Sequence, residues 1–398
     1  MTEPIVLIGG GLAAGTAVRE LREQGYDGPL VLFAAESHPP YERPPLSKDY
    51  LLGKQPAEKA FVSDASWYAE HDVDLRLGTT VDSVDPAGHT LRAGGAELAW
   101  SRLLLATGAR PRRLAMADAS GVPVHYLRTL DDSTALKEHL TEGTRVGIIG
   151  GGWIGLEVAS AARQSGAEVT VLESLEQPLL NVLGAEVAAL FAQLHRERGV
   201  DLRTGVRIDQ ISAGGGAAVI ALEGGDSLTV DRLVVGIGVD PATELATAAG
   251  LEVDNGVLVD AHLRTSAADV YAAGDVANVD HPVLGHRLRV EHWDTAIKHG
   301  KVAAANLVGG DAVADDLPYF FTDQYDLGLE YVGHPGPDGF DRVVVTGDTD
   351  GPVEQRTFRV WWLRGDLVVA GMHVNDWDAI DRVRELVGTQ ADDAALRA

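Results

Sequence analysis

The chain contains no cysteine in 398 residues. That absence excludes a redox disulfide, a thiol nucleophile, a cysteine-ligated zinc and an iron–sulfur cluster held by this polypeptide. Basic residues are also scarce, 33 Lys and Arg against 59 Asp and Glu, for a formal charge of −26. Such a chain repels nucleic acid phosphate and stays soluble. Long apolar runs are missing, so no transmembrane span is predicted, and the N-terminus enters a strand without a basic leader, which points to a cytoplasmic protein. What remains is an ordinary apolar content of 45%, in a chain long enough for two or three domains with their own cores.

The most informative stretches are two glycine turns. "EPIVLIGGGLAAGTAVREL" (Glu3 to Leu21) and "RVGIIGGGWIGLEVAS" (Arg145 to Ser160) each read as an apolar strand, a triple glycine and a helix. A turn of this kind presents backbone N–H groups and a helix N-terminus to a phosphate. The segments after the two turns are also alike. "HDVDLRLGTTVDSVD" and "LAWSRLLLATGARP" come after the first; "RGVDLRTGVRIDQIS" and "LTVDRLVVGIGVDP" come after the second. The order of strands, hairpin and final glycine is the same, which identifies an internal duplication of a nucleotide-binding unit.

The predicted fold is therefore α/β, with two Rossmann-like dinucleotide-binding domains and a small C-terminal α+β domain. The segment from Asp240 to about Asn306 lacks a third fingerprint, yet "SAADVYAAGDV" reads as a buried strand that completes the first sheet. This assigns residues 1–110 and 240–316 to the first unit, 111–239 to the second and 317–398 to the third. "GGDAVADD" (Gly309 to Asp316) reads as a linker. Beyond it the chain alternates like antiparallel strands, with Asp376 as the expected cap of a last helix whose inner face carries Trp377, Ile380, Val383 and Val387. Trp361 and Trp362 are adjacent on a predicted strand and must face opposite ways, one toward core and the other toward an interface.

The two turns differ in detail. In the second, Gly150, Gly152 and Gly155 complete the full fingerprint, and Glu173 ends "VTVLE" about 20 residues later. A carboxylate there accepts hydrogen bonds from the ribose hydroxyls of NAD and repels the extra phosphate of NADP. The first turn is a relaxed version, Gly9, Gly11 and Ala14, with Glu36 closing "LVLFAAE". His281, His286, His292 and His299 cluster in sequence, but their spacing matches no common metal site, and no metal is expected.

With both fingerprints, "YERPPLSK", "LLLATGARPR", "YAAGDV", "VEHWDTA" and "DQYD" in register, the chain resembles the FAD-dependent pyridine-nucleotide oxidoreductases. Within them it is most similar to the putidaredoxin-reductase-like ferredoxin reductases that serve bacterial dioxygenases and cytochromes P450. The resemblance runs from Ile5 to about Val387. It implies tight, non-covalent FAD in the first unit, NADH as co-substrate in the second, and nicotinamide meeting the flavin between them. On the FAD side it implies Gly9, Gly11 and Ala14 at the pyrophosphate, the main chain at Val81 and at Ala106, Thr107 and Gly108 toward adenine, and Arg43, Lys48, Arg128, Gly274, Asp275 and Trp293 along the flavin. On the NADH side it implies Gly150, Gly152, Ile154, Gly155, Glu173 and Gly238. Ala35 stands where relatives often carry an acid for the FAD ribose, so the role passes to Glu36. Phe321 stands where relatives frequently have tryptophan, so an electron path through that indole does not transfer.

Lys48 and Glu157 are the expected catalytic charges. Hydride delivery brings negative charge to a flavin ring, which a fixed ammonium stabilises, and the resemblance pairs Lys48 with Glu157 beside the nicotinamide amide. Hydride transfer itself needs alignment rather than a protein acid or base. Without cysteine, electrons leave one at a time to a separate carrier, in pairs to a small acceptor such as a quinone or dioxygen, or not at all. The expected function is an NADH:ferredoxin oxidoreductase whose partner is a ferredoxin-type, [2Fe–2S] iron–sulfur protein. The alternatives are a flavin NADH oxidase or quinone reductase, and an NADH-sensing flavoprotein. A local basic group, Arg287, Arg289, Lys298 and Lys301, is the expected docking point for an acidic carrier. No membrane or nucleic-acid partner is implied, and the oligomeric state stays open between a monomer and a homodimer.

Overall fold

The computed structural model describes residues 3–352 and 355–397. Its core begins with "IVLI", Ile5–Ile8, whose four apolar side chains are all buried in a core shared with helix residues 12–21 and 303–307 and with Val81, Val84, Leu91 and Ala93 of antiparallel strands. The strand pairs in parallel with Leu30–Phe33 on one side and Arg102–Leu105 on the other. Val73–Arg76 and Val270–Ala272 take the two edges, so a strand from late in the chain does join the first sheet. The second sheet repeats this plan around Arg145–Ile149, flanked by Glu168–Leu172 and Arg232–Val235, with Asp201–Arg203 and Val124–His125 at the edges. Each unit carries a three-stranded antiparallel sheet as well, 81–99 in the first and 208–230 in the second. Two short segments, Ala109–Pro111 and Val239–Pro241, pair where the chain passes between the units.

Each glycine turn is held by contacts that no side chain could share. A Cβ on Gly9 would lie 2.0 Å from the Ala106 carbonyl oxygen, and the residue sits at φ +130°. In the second turn a Cβ on Gly155 would lie 2.1 Å from the Gly150 carbonyl oxygen, which lets the helix Trp153–Gln164 press against its own strand. In the first unit the helix Trp293–Leu307 packs along the helix Leu12–Glu23.

The third unit is a five-stranded antiparallel sheet in the order 319–324, 327–333, 367–374, 357–364, 342–348. Both of its faces are covered, and the paired tryptophans face opposite ways, one into the unit's own core and the other into the contact with the second unit. Trp361 packs with Val383 and Leu386 of the C-terminal helix Ile380–Leu386, whereas Trp362 packs against Val187 and Phe191 of the second unit. Both are fully buried, and the Trp362 Nε1–H donates to the Leu183 carbonyl at 3.0 Å. The expected helix start shifts. Asp376 pairs with Arg359 at 2.7 Å instead of capping, the helix begins after Ala379, and Trp377 is 59% exposed. Among the described residues no helix is long and apolar enough to cross a membrane.

Candidate functional site

A cavity of about 1400 Å³ opens where the three units meet, and both glycine turns line it. From the first unit come Gly9 to Gly11, Ala35, Glu36, Val81 and Ala106 to Gly108; from the second come Gly152, Ile154 and Gly238. Arg43, Lys48, Arg128, Glu157, Gly274, Asp275 and Trp293 complete the set of expected residues on its wall. Four expected residues are not on it. Ala14 is buried in the core of the first unit, and Gly150 and Gly155 lie against one another, because the third fingerprint position serves helix–strand packing. Glu173 stands behind the second turn. Its carboxylate accepts the Gly151 N–H at 2.6 Å and the Leu175 N–H at 2.8 Å.

Lys48 is presented by a short turn, Pro44–Ser47, whose prolines fix φ where the chain would otherwise be free. Its ammonium lies 2.7 Å from Glu157 Oε1. Glu157 is buried in the helix Trp153–Gln164, yet its carboxylate is fully partnered. Ser47 Oγ–H donates to Oε2 at 2.5 Å, and Thr322 Oγ1–H donates to Oε1 at 2.5 Å. The Phe321 ring lies 5.8 Å from the Lys48 nitrogen. Sequence reasoning did not single out Ser47 or Thr322, although Ser47 stands inside "YERPPLSK", next to Lys48, and Thr322 stands between Phe321 and "DQYD". Their partner is more than a hundred positions away in each case, which no local pattern reveals.

A second charged set runs along the first unit. Arg128 pairs with Asp275 at 2.7 Å, Arg43 pairs with Glu36 at 3.5 Å, and Arg43 also donates to the Arg128 carbonyl. Burial, and then the neighbouring Arg43, lower the proton affinity of Arg128, which Asp275 partly offsets. His292 is held neutral near pH 7, its pKa lowered to about 4 by burial and then by the Lys48 charge. The remaining histidines go elsewhere: His299 Nδ1 accepts the Gly274 N–H, His281 lies against the Asp316 carbonyl, and the His286 ring lies tilted 5.8 Å from that of His334.

The expected docking group does not assemble. Arg289 turns inward, pairing with Glu291 and donating to the Asp275 carbonyl at 3.2 Å, and its side chain is only 9% exposed. Lys298 is tied to Asp294 and Asp316. Arg287 lies on the short strand His286–Leu288, where its guanidinium donates to the Val259 and Asn278 carbonyls, and Lys301 is on the helix Trp293–Leu307. The four cations lie on a strand, a loop and a helix, and Arg289 and Lys298 are committed to carboxylates.

The residues present fit a dinucleotide in each turn. The helices starting after Gly11 and Gly152 have no side-chain cap, so their first-turn N–H groups are free for phosphate oxygens. Arg128 Nε and Trp293 Nε1 are buried donors without a protein partner, and both residues line the cavity. An extended, anionic ligand satisfies these donors where water alone would be poorly confined.

Comparison with known proteins agrees. Residues 3–300 match the family model described as pyridine nucleotide-disulphide oxidoreductase. The chain belongs to that family. Residues 319–398 of this family member match a second model, described as reductase C-terminal. It is 42% identical over 393 residues to the ferredoxin–NAD(+) reductase component of the anthranilate 1,2-dioxygenase system of Burkholderia cepacia, covering 98% of this chain and 95% of the relative. Putidaredoxin reductase of Pseudomonas putida is 35% identical, with 93% and 88% covered. Among solved structures, a covalent putidaredoxin reductase–putidaredoxin complex superposes with a TM-score of 0.92 at 33% identity, covering 98% of this chain and 96% of that one. Unlike the disulphide reductases that gave the family its name, this member has no cysteine to reduce.

Proposed function

We propose that this chain is an FAD-dependent NADH:ferredoxin reductase, supplying electrons to an oxygenase or a cytochrome P450. Residues 1–110 and 240–316 hold FAD, residues 111–239 hold NADH, and residues 317–398 close the cavity between them. The observation that carries this reading is the Lys48–Glu157 ion pair on the wall of a single cavity that both glycine turns also line. Bound FAD would supply the conversion of one hydride's electron pair into single electrons.

The chain's own groups do the rest. Uncapped N–H groups after Gly11 and Gly152 bind the two pyrophosphates, and Arg43 stands along the flavin. Glu36 and Glu173 stand at the corresponding riboses. Arg128 and Asp275 orient the flavin's polar chain, and Trp293 offers its indole N–H. Ile154, 45% exposed on the cavity wall, and Gly238 give the nicotinamide an apolar, close-approach surface. Lys48 fixes a positive charge where negative charge arrives, and Glu157 fixes Lys48. Neutral His292 excludes water beside this pair without adding a competing cation.

With no thiol in the chain, electrons leave to a separate protein. A [2Fe–2S] ferredoxin is the acceptor proposed here, in the cytoplasm where NADH is maintained. The test is a reduction screen with purified candidate ferredoxins, NADH as donor and cytochrome c as reporter. The preparation is expected to be yellow and to release FAD on heating. A ferredoxin is expected to raise turnover well above the rate with dioxygen alone. A colourless protein that takes up no FAD overturns the reading, and fast oxidase activity that no ferredoxin improves replaces it with a small-acceptor enzyme.

A further inference from the structure

Behind Glu157 lies a hydrogen-bonded chain that binding of the two dinucleotides does not require. Thr322 Oγ1 meets Glu157 Oε1 at 2.5 Å and Gln324 Nε2 at 3.4 Å. Gln324 Oε1 meets His195 Nε2 at 2.8 Å, and His195 Nδ1 meets the Tyr325 hydroxyl at 3.4 Å. Thr322, Gln324 and His195 are at most 1% exposed. They come from a strand of the third unit and the helix Ala185–Glu197 of the second.

Donor and acceptor roles along this chain admit one direction. An ionised carboxylate only accepts, so the single Thr322 proton is committed to Glu157. The Thr322 oxygen is then left to accept from the Gln324 NH₂, which turns the Gln324 oxygen toward His195. His195 is neutral, its pKa lowered to about 4 by burial, so it donates through Nε2 and accepts at Nδ1. The Tyr325 hydroxyl supplies that last proton. Four residues thus agree on one polarity, and it ends as a donor aimed at Glu157 Oε1. Ser47 holds the other oxygen from the opposite side. Thr322 and Lys48 share Oε1, so removing the hydroxyl frees that oxygen to move and carries the ammonium off its position.

We propose that Thr322, oriented by Gln324 and His195, is a positioning residue that pins Glu157 and through it sets where the Lys48 charge stands. The proposal rests on the reading of the site as one where NADH reduces a flavin. It is tested on the holoenzyme with Thr322→Val, which keeps the shape and removes the hydroxyl, and Thr322→Ser, which keeps the hydroxyl and removes a methyl. For Thr322→Val, stopped-flow flavin reduction by NADH is expected to slow about 10-fold while NADH Kd stays within about 2-fold. Its flavin reduction potential, measured against a reference dye, is expected to move negative. Thr322→Ser is expected to keep both the rate and the potential of the parent. Adding Gln324→Leu to Thr322→Val is expected to cost nothing more, because Gln324 acts only through Thr322. A parent-like Thr322→Val overturns the proposal, as does a Thr322→Ser that is impaired while Thr322→Val is not, since that pattern reports packing. Failure of the underlying reading looks different: the parent flavin itself would not be reduced by NADH.

Discussion

Replacing Lys48 with methionine separates what the ion pair contributes to folding from what it contributes to electron transfer. The ammonium is 2.7 Å from Glu157 Oε1, with side chains 15% and 4% exposed. At an effective dielectric near 20 the gross attraction is about 6 kcal/mol, most of it cancelled by taking two charges out of water. Methionine preserves the stem and leaves Glu157 a buried charge without its cation. Breaking a buried pair from one side costs roughly 3–5 kcal/mol. Two hydroxyl donors remain on Glu157, so the loss is expected at the low end, about 3 kcal/mol, and is read as a lower urea midpoint at unchanged slope. Loss of the charge at the flavin is a separate effect, comparable to removing one preorganised donor, about 10²- to 10³-fold in the rate of flavin reduction by NADH. The double variant Lys48→Met with Glu157→Gln discriminates between them. Its stability is expected to return toward that of the parent, because no uncompensated carboxylate is left, while the stopped-flow rate stays low. Recovery of the rate together with the stability would refute the reasoning, since the fixed positive charge would then be dispensable.

Gly9→Ala should yield protein with little flavin absorbance, because its Cβ would stand 2.0 Å from the Ala106 carbonyl oxygen at a φ of +130°. NADH should be preferred over NADPH by roughly 10- to 1000-fold in kcat/KM, and Glu173→Ala should narrow that ratio; equal values in the parent would place the discriminating acid elsewhere. His195, His292 and His299 are all lowered to about 4 by burial. Their folded pKa lies below the unfolded value of 6.5, so the unfolded chain takes up protons first as pH falls. Stability should therefore drop between pH 6.5 and 4 by up to roughly 1.4 kcal/mol per pH unit for each, and His299→Gln should flatten the urea midpoint over that window.

The duplicated units were legible because their chemistry is local: a strand, a glycine turn and a helix are contiguous, and the turn residues are dictated by backbone geometry. The completion of the first sheet by Val270–Ala272 was legible for a related reason, an apolar run ending in glycine where a first-unit strand was still needed. Local pattern failed where several segments converge. Trp361 and Trp362 alternate as a strand requires, but only the packed structure shows that a helix covers one face and the second unit the other. Ala14 matched a fingerprint position without revealing that this position faces the strand rather than the ligand. Arg287, Arg289, Lys298 and Lys301 formed a cluster in sequence, but Arg289 and Lys298 are taken up by neighbouring carboxylates. Ser47, Thr322, Gln324 and His195 carry no signature of their own, and their significance comes from a carboxylate reached by folding three units together.

That convergence bears on how such reductases can be recombined. Glu157 starts on the second unit's helix, accepts from Ser47 of the first unit and from Thr322 of the third, and neutralises Lys48. A chimera that exchanges one unit between homologues to change the electron acceptor keeps its two parent halves intact but rewires this carboxylate. The crossover is tolerated only when both parents offer a hydroxyl at positions 47 and 322 and a Lys–Glu pair at 48 and 157. Swapping the third unit alone, the obvious route to a new carrier, therefore also exchanges a contact of the hydride-receiving end, and acceptor choice and reduction rate are not independently inherited parts.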